Sequence, residues 1–292
     1  MTDDILQKAI ALHDRFTHVD HDRRAFMRDM GALAGGSAAA AALAASIAAD
    51  PAAAAIVEAS DPRITVEPVS FPGANGHMLK GVLATPKPAK GKLGSVVVFH
   101  ENRGLTPYVE DVARRLAVAG YRALAVDLLS PVGGTPADQD KAREMIGALD
   151  LPAAVADAAA SAAWLKARKG GNGKVGVVGF CWGGAMVNRV AVAAGAAIDG
   201  GVAYYGPQPT PAEAAKVKAP LVLHYAGLDE RVNAGAAAWV AALTAAGAKV
   251  TRYDYPGVNH AFHNDTSGAR YDKAAADLSW QRTLAFFAET LK

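Results

Sequence analysis

The sequence predicts an α/β protein with a mostly parallel central sheet and helices on both faces. Three observations carry that reading. Val96-Val97-Val98-Phe99, Ala123-Leu124-Ala125-Val126 and Val175-Gly176-Val177-Val178 are short continuous apolar runs, as expected of strands buried on both faces. Segments with helical spacing separate such runs, giving the alternation of βαβ units. Between the third run and an Ala/Val-rich segment stands the turn Gly179-Phe180-Cys181-Trp182-Gly183-Gly184, which reads as strand, tight turn, helix.

Composition narrows the options. A chain of 292 residues, 51% apolar, suits one large domain or two small ones. The net charge of +2, from 30 basic and 28 acidic residues, gives no electrostatic case for a nucleic-acid partner. Cys181 is the only cysteine, so an internal disulfide and a thiolate-rich metal site are both excluded.

The elements follow in order. Ile5, Ala9, Leu12 and Phe16 have helical spacing. Arg23-Arg24-Ala25-Phe26 then precedes a weakly apolar, uncharged run from Met30 to Ala49, rich in Gly and Ala. This order resembles a twin-arginine export signal over residues 1–49, and implies a periplasmic or secreted protein. The alternative is an Ala-rich N-terminal helix of a cytoplasmic protein. Such low hydrophobicity argues against a stable membrane span. Residues 50–63 read as a linker, and 64–292 as the catalytic domain.

Ile64–Phe71 and Met78–Ala84 read as a hairpin turned at Asn75-Gly76, and Thr85–Gly94 as a surface loop. After the Val96 strand come the polar loop His100–Gly104, a helix over Val109–Ala119 and the Ala123 strand. Asp138–Leu149 and Pro152–Lys169 read as helices, broken from the Val175 strand by Gly170–Gly173. Further strands are expected at Gly200–Tyr205, Pro220–Tyr225 and Lys249–Tyr255, and helices at Ala234–Ala246 and Tyr271–Thr290.

A Gly-x-nucleophile-x-Gly turn between strand and helix is the nucleophile elbow of the α/β-hydrolase fold, here with a thiol in the nucleophile's place. In that fold, nucleophile, acid and His follow in chain order at strand ends. After Cys181, the next strand-end carboxylate in a Gly-containing turn is Asp229, and the next strand-end histidine is His260. A thiolate attacks, an imidazole takes the thiol proton, and a carboxylate fixes the imidazole's tautomer. Glu230 is a rival for the acid position. Backbone N–H groups of Trp182, after the nucleophile, and Asn102, after the Val96 strand, are the expected oxyanion donors. His260 and His263 could be read as a metal pair, but no third ligand is evident, so no metal is expected.

These residues resemble the dienelactone hydrolase family over roughly Met78 to Leu291. The shared features are Gly-Phe-Cys-Trp-Gly-Gly, Tyr204-Tyr205-Gly206, Gly227-Leu228-Asp229 and Asn259-His260-Ala261-Phe262, with His100–Gly104 similar to the family's acidic loop. The resemblance implies a Cys-His-Asp triad that opens small esters or lactones through a thioester without a cofactor. It also implies that Glu101 contacts the resting thiol and helps form the thiolate. One departure stands out: where dienelactone-cleaving members carry an arginine four residues after the catalytic His, this chain has Asn264. Arg270 is a candidate replacement, with Arg103 and Tyr205 as further candidate substrate contacts. Arg143 is one candidate for the family's second substrate arginine. An acyltransferase on the same triad, or a noncatalytic binding protein of the same fold, are the alternative functions.

Overall fold

The computed structural model describes residues 3–50, 53–89 and 91–292. Its centre is an eight-stranded sheet in the order β1-β2-β4-β3-β5-β6-β7-β8. The strands are β1 (Ile64–Pro72), β2 (Met78–Pro86), β3 (Leu93–Phe99), β4 (Arg122–Asp127), β5 (Gly171–Phe180), β6 (Gly200–Tyr204), β7 (Leu221–Ala226) and β8 (Val250–Tyr255). β1 and β2 form the expected antiparallel hairpin, with Ile64 opposite Pro86 and Gly76 at φ 80° in the turn. β2 is antiparallel to β4, and every pairing from β4 to β8 is parallel. β2 runs two residues into the segment expected to be loop, because ladder pairing with β1 extends to Pro86. β5 likewise begins at Gly171, inside the expected break, since Gly171 pairs with Leu93.

Alternation along the strands builds two cores. Val97, Leu124, Val177 and Leu223 face one side, where α6 (Leu151–Ala167), α7 (Trp182–Ala194) and α8 (Glu230–Ala245) pack. Val96, Val98, Ala125 and Val178 face the other, against α4 (Pro107–Val118) and α9 (Lys273–Thr290). The strand order reverses around β3, whose neighbours are β4 and β5. Open α/β sheets leave a crevice at such a point, outside the carboxyl ends of the strands. The loop after β3 and the turn after β5 both open there.

The N-terminal segment folds onto that edge. It comprises α1 (Asp3–Arg15), one π-helical turn (Phe16–Asp20), α2 (Arg23–Ala34) and α3 (Ser37–Ile47). Asp22 caps α2 by accepting from the N–H groups of Arg24 and Ala25. Gly35 and Gly36, at φ 80° and 152°, break the apolar run expected from Met30 to Ala49, and α2 and α3 meet at a 106° bend. Ala9, Ile10, Phe16, Phe26, Met30, Leu43 and Ile47 form a small core of their own. Among the described residues, no single helix is long and apolar enough to cross a membrane. Part of the expected linker is anchored: Ile56 and Val57 donate their N–H groups to Asp111 of α4, each at 2.9 Å. The remaining helix, α5 (Gln139–Gly147), starts one residue after its cap Asp138.

Candidate active site

The turn between β5 and α7 holds Cys181 at φ 56°, ψ −114°, a left-handed conformation that a non-glycine residue adopts only under constraint. The constraint is the sheet: Cys181 N–H donates to Tyr204 O at 3.0 Å, and Cys181 O accepts from Ala185 N–H at 3.1 Å. The flanking glycines are there for close packing. A Cβ on Gly179 would lie 2.1 Å from Gly183 O, and one on Gly183 would lie 2.3 Å from Phe99 O. Among the described residues four non-glycines have positive φ: His21, Cys181, Tyr205 and Ala261. All four lie at this one crevice: Cys181 and Ala261 line its inner void, His21 its neighbouring cavity, and the Tyr205 ring sits 4.9 Å from that of His260. Strain concentrated in this way accompanies functional sites.

His260 follows β8 on the loop that includes Pro256 and Gly257, and Asp229 ends the turn after β7. The His260 Nδ1–H donates to Asp229 Oδ2 at 2.5 Å, and both side chains are buried. Asp229 also caps α8, its Oδ1 accepting from Val232 N–H at 3.1 Å. The two roles coexist because the carboxylate has two oxygens. The rival Glu230 is exposed as the first residue of α8. His260 Nε2 is buried without a hydrogen-bond partner among the described residues; the Cys181 Sγ lies within 4.8 Å of a His260 ring nitrogen. Burial alone would push the His260 ring below its ordinary range, but the charge on Cys181 and the Asp229 carboxylate outweigh it and raise it to about 10.

Glu101, Asn102 and Arg270 line the same small void as Cys181 and His260, and Arg103 borders it. Burial pushes the Glu101 carboxyl above its usual range, against the pull of Arg270, His260 and Asn264. Asn264 Nδ2 donates to Glu101 Oε2 at 2.7 Å, and its Oδ1 accepts from the N–H and hydroxyl of Thr266. The residue standing where an arginine was expected therefore holds the loop glutamate. Trp182 opens α7, so its backbone N–H belongs to the first helical turn and has no intrahelical acceptor; its indole stacks on His100 with ring centroids 5.2 Å apart. Tyr205 is fully buried, and its hydroxyl has no partner among the described residues. Arg103 donates to Asp140 at 3.0 Å. Arg270 donates to Ile47 O at 3.0 Å and also contacts Asp14, so the N-terminal helices occupy its guanidinium.

Beside the elbow lies a larger cavity of about 250 Å³ that also reaches Cys181. Arg143, Arg189 and Arg231 line it with His18, His21 and Trp182, and no carboxylate does. Among the described residues Arg143 Nη1 is buried without a hydrogen-bond partner, its guanidinium lying over the Phe16 ring with Nη2 3.7 Å from Asp140. The His260–His263 metal pair does not form, because His263 Nδ1 is bonded to the Tyr108 hydroxyl at 2.8 Å. A different trio does assemble: ligand atoms of His18, Cys181 and His260 lie within 4.8 Å of one another.

The dienelactone hydrolase family profile matches residues 79–291. The chain belongs to the dienelactone hydrolase family. A carboxymethylenebutenolidase from Pseudomonas putida is 29% identical over 231 residues, covering 76% of this chain and 96% of that one. A crystal structure from Klebsiella pneumoniae subsp. pneumoniae, described as a "Putative Dienelactone Hydrolase", is 30% identical with a TM-score of 0.69, covering 77% of this chain and 98% of the other. Brefeldin A esterase, a bacterial homologue of human hormone sensitive lipase, is 16% identical with a TM-score of 0.65, which shows the shared fold; that likeness covers 99% of this chain and 87% of the other. As a dienelactone hydrolase family member, the chain is a hydrolase with the α/β-hydrolase fold. The family match begins after the N-terminal helices, which lie outside it.

Sequence reasoning missed His18, Arg189 and Arg231. The arginines of the cavity come from three separate helices, α5, α7 and α8, with no local pattern to join them. His18 was hidden inside a segment read as a leader. Its signal, a histidine pair at His18 and His21 after Phe16, is intelligible only once the segment is seen against the sheet edge.

Proposed function

We propose that this protein is a cofactor-free hydrolase of small esters or lactones that works through a Cys181 thioester. The carrying observation is the buried Asp229–His260 pair, at 2.5 Å, with Cys181 on a strained elbow beside it. A His260 ring raised to about 10 favours its imidazolium form at neutral pH. The thiolate sulfur attacks the acyl carbon, and the Trp182 and Asn102 backbone N–H groups donate to the developing oxyanion. His260 gives its proton to the leaving alkoxide. Water, deprotonated by His260, then cleaves the thioester and restores the pair. Asn264 holds Glu101 at the edge of the site, and burial biases that carboxyl toward its protonated form beside the thiolate. The cavity wall carrying Arg143, Arg189 and Arg231 supports a substrate with an anionic group.

The test is Cys181→Ala. Wild-type enzyme mixed with an activated aryl ester is expected to show a mass increase equal to the acyl group on Cys181, and the variant neither that adduct nor turnover. Turnover surviving in a folded Cys181→Ala protein would end the proposal.

A further inference from the structure

The void enclosed directly over Cys181 and His260 is only about 30 Å³, room for a single water. Its outer wall is not catalytic-domain structure. His13, Thr17, His18 and Ala49 supply it from the N-terminal helices. Thr17 and His18 also line the 250 Å³ cavity on the other side, so they partition one space from the other. The His18 ring packs edge-on to the His260 ring with centroids 4.9 Å apart.

The backbone is shaped for this placement. Thr17 and His18 ride on the π-helical turn, a rare form that is frequent at functional sites, and His21 ends that turn at φ 53°. The docking is built into both partners. Arg270 donates to Ile47 O, Asp50 N–H donates to Thr266 O at 2.8 Å, and Arg23 pairs with Asp140 at 2.7 Å. The Arg143 guanidinium lies 4.4 Å over the Phe16 ring. On the catalytic domain, a Cβ at Gly268 would lie 2.4 Å from Ser46 O, so that loop is relieved of a side chain where α3 lands.

We propose that residues 3–50 are a cap that completes the substrate pocket, and that His18 is its specificity-determining residue. The ring blocks bulky groups from the space over the Cys181–His260 pair and confines the acyl group to the arginine-lined cavity. Burial also keeps the His18 ring well below its usual range, so it acts as a neutral wall. The part concerning turnover rests on the hydrolase reading above.

The test uses the full chain. For p-nitrophenyl acetate and p-nitrophenyl phenylacetate, which share a leaving group, His18→Ala is expected to raise the phenylacetate-to-acetate ratio of kcat/KM by about tenfold or more, chiefly through KM. His18→Phe is expected to lower it. A ratio unchanged in both variants overturns the proposal. Because Cys181 is the only cysteine, alkylation supplies a readout independent of catalysis and of variant folding. Relative to free cysteine, wild-type Cys181 is expected to discriminate against N-phenylmaleimide over iodoacetamide by about tenfold or more. Equal normalised rates would also overturn the cap. Strong discrimination with no ester turnover would refute the hydrolase reading and leave the cap standing.

Discussion

Asp229→Asn separates the carboxylate's work on His260 from its work on the fold. Asparagine caps helices about as well as aspartate, so the bond to Val232 N–H is kept and the folded state should lose well under about 1 kcal/mol. The amide has a single oxygen, so with that cap kept its NH2 faces His260 and can only donate, which moves the ring's proton to Nε2, away from the tautomer a base at Cys181 needs. The carboxylate charge disappears as well. At a separation of about 4 Å and an effective dielectric of about 20, the imidazolium–carboxylate attraction is about 4 kcal/mol. Allowing for relaxation and water entry, a net loss of about 3 kcal/mol corresponds to a fall of about 10²-fold in kcat/KM. The assay is steady-state hydrolysis of an activated aryl ester, with thermal unfolding alongside. Histidine NMR should show His260 titrating lower than in wild type, since Asp229 is one of the groups that raise it. A variant within about threefold of wild type with an unmoved His260 titration would refute the assigned role.

Four further outcomes follow. Asn264→Ala removes a hydrogen bond that opposes the burial-driven rise of Glu101, so the Glu101 carboxyl should titrate higher by carboxylate NMR, and stability should fall by about 1–3 kcal/mol. The raised His260 contributes stability that is full below its unfolded value of 6.5 and is lost as pH rises through about 10; urea titrations should show that loss in wild type and a smaller one in Cys181→Ala, which lacks the leading raising group. Gly183→Ala should prevent folding or cost more than about 4 kcal/mol, because its Cβ meets Phe99 O at 2.3 Å; a soluble variant with near-normal melting would refute the packing account of the elbow. We read Arg23-Arg24 as a twin-arginine address. Changing both to Lys should hold the protein in the cytoplasm on fractionation; the exported wild-type chain is expected to keep residues 3–50 by intact mass, and their loss on export would overturn the cap.

The parallel sheet and the Cys181, Asp229, His260 order were legible in the sequence because their signals are local. A buried strand writes itself as a continuous apolar run, and an elbow needs glycines within a few residues of the nucleophile. The ends of elements were less legible. Asp229 reads equally as turn, cap or acid, and the structure shows it both capping α8 and holding His260, since one carboxylate has two oxygens to give. The role of Asn264 was invisible for a different reason: a missing arginine looks like a lost substrate contact until the fold brings Glu101, 163 positions away, within 2.7 Å.

By itself the sequence determined the fold class, the tight glycine-rich turn at Cys181 and the strand-end positions of Asp229 and His260, all set by short-range periodicity and backbone constraint. Only the tertiary structure decided what surrounds them. Arg143, Arg189 and Arg231 meet because three helices end around one crevice, and residues 3–50 reach Cys181 because their small core docks on the sheet edge. A run of alanines and glycines is compatible with a leader or with a cap, and the choice depends on long-range contacts that no local pattern encodes.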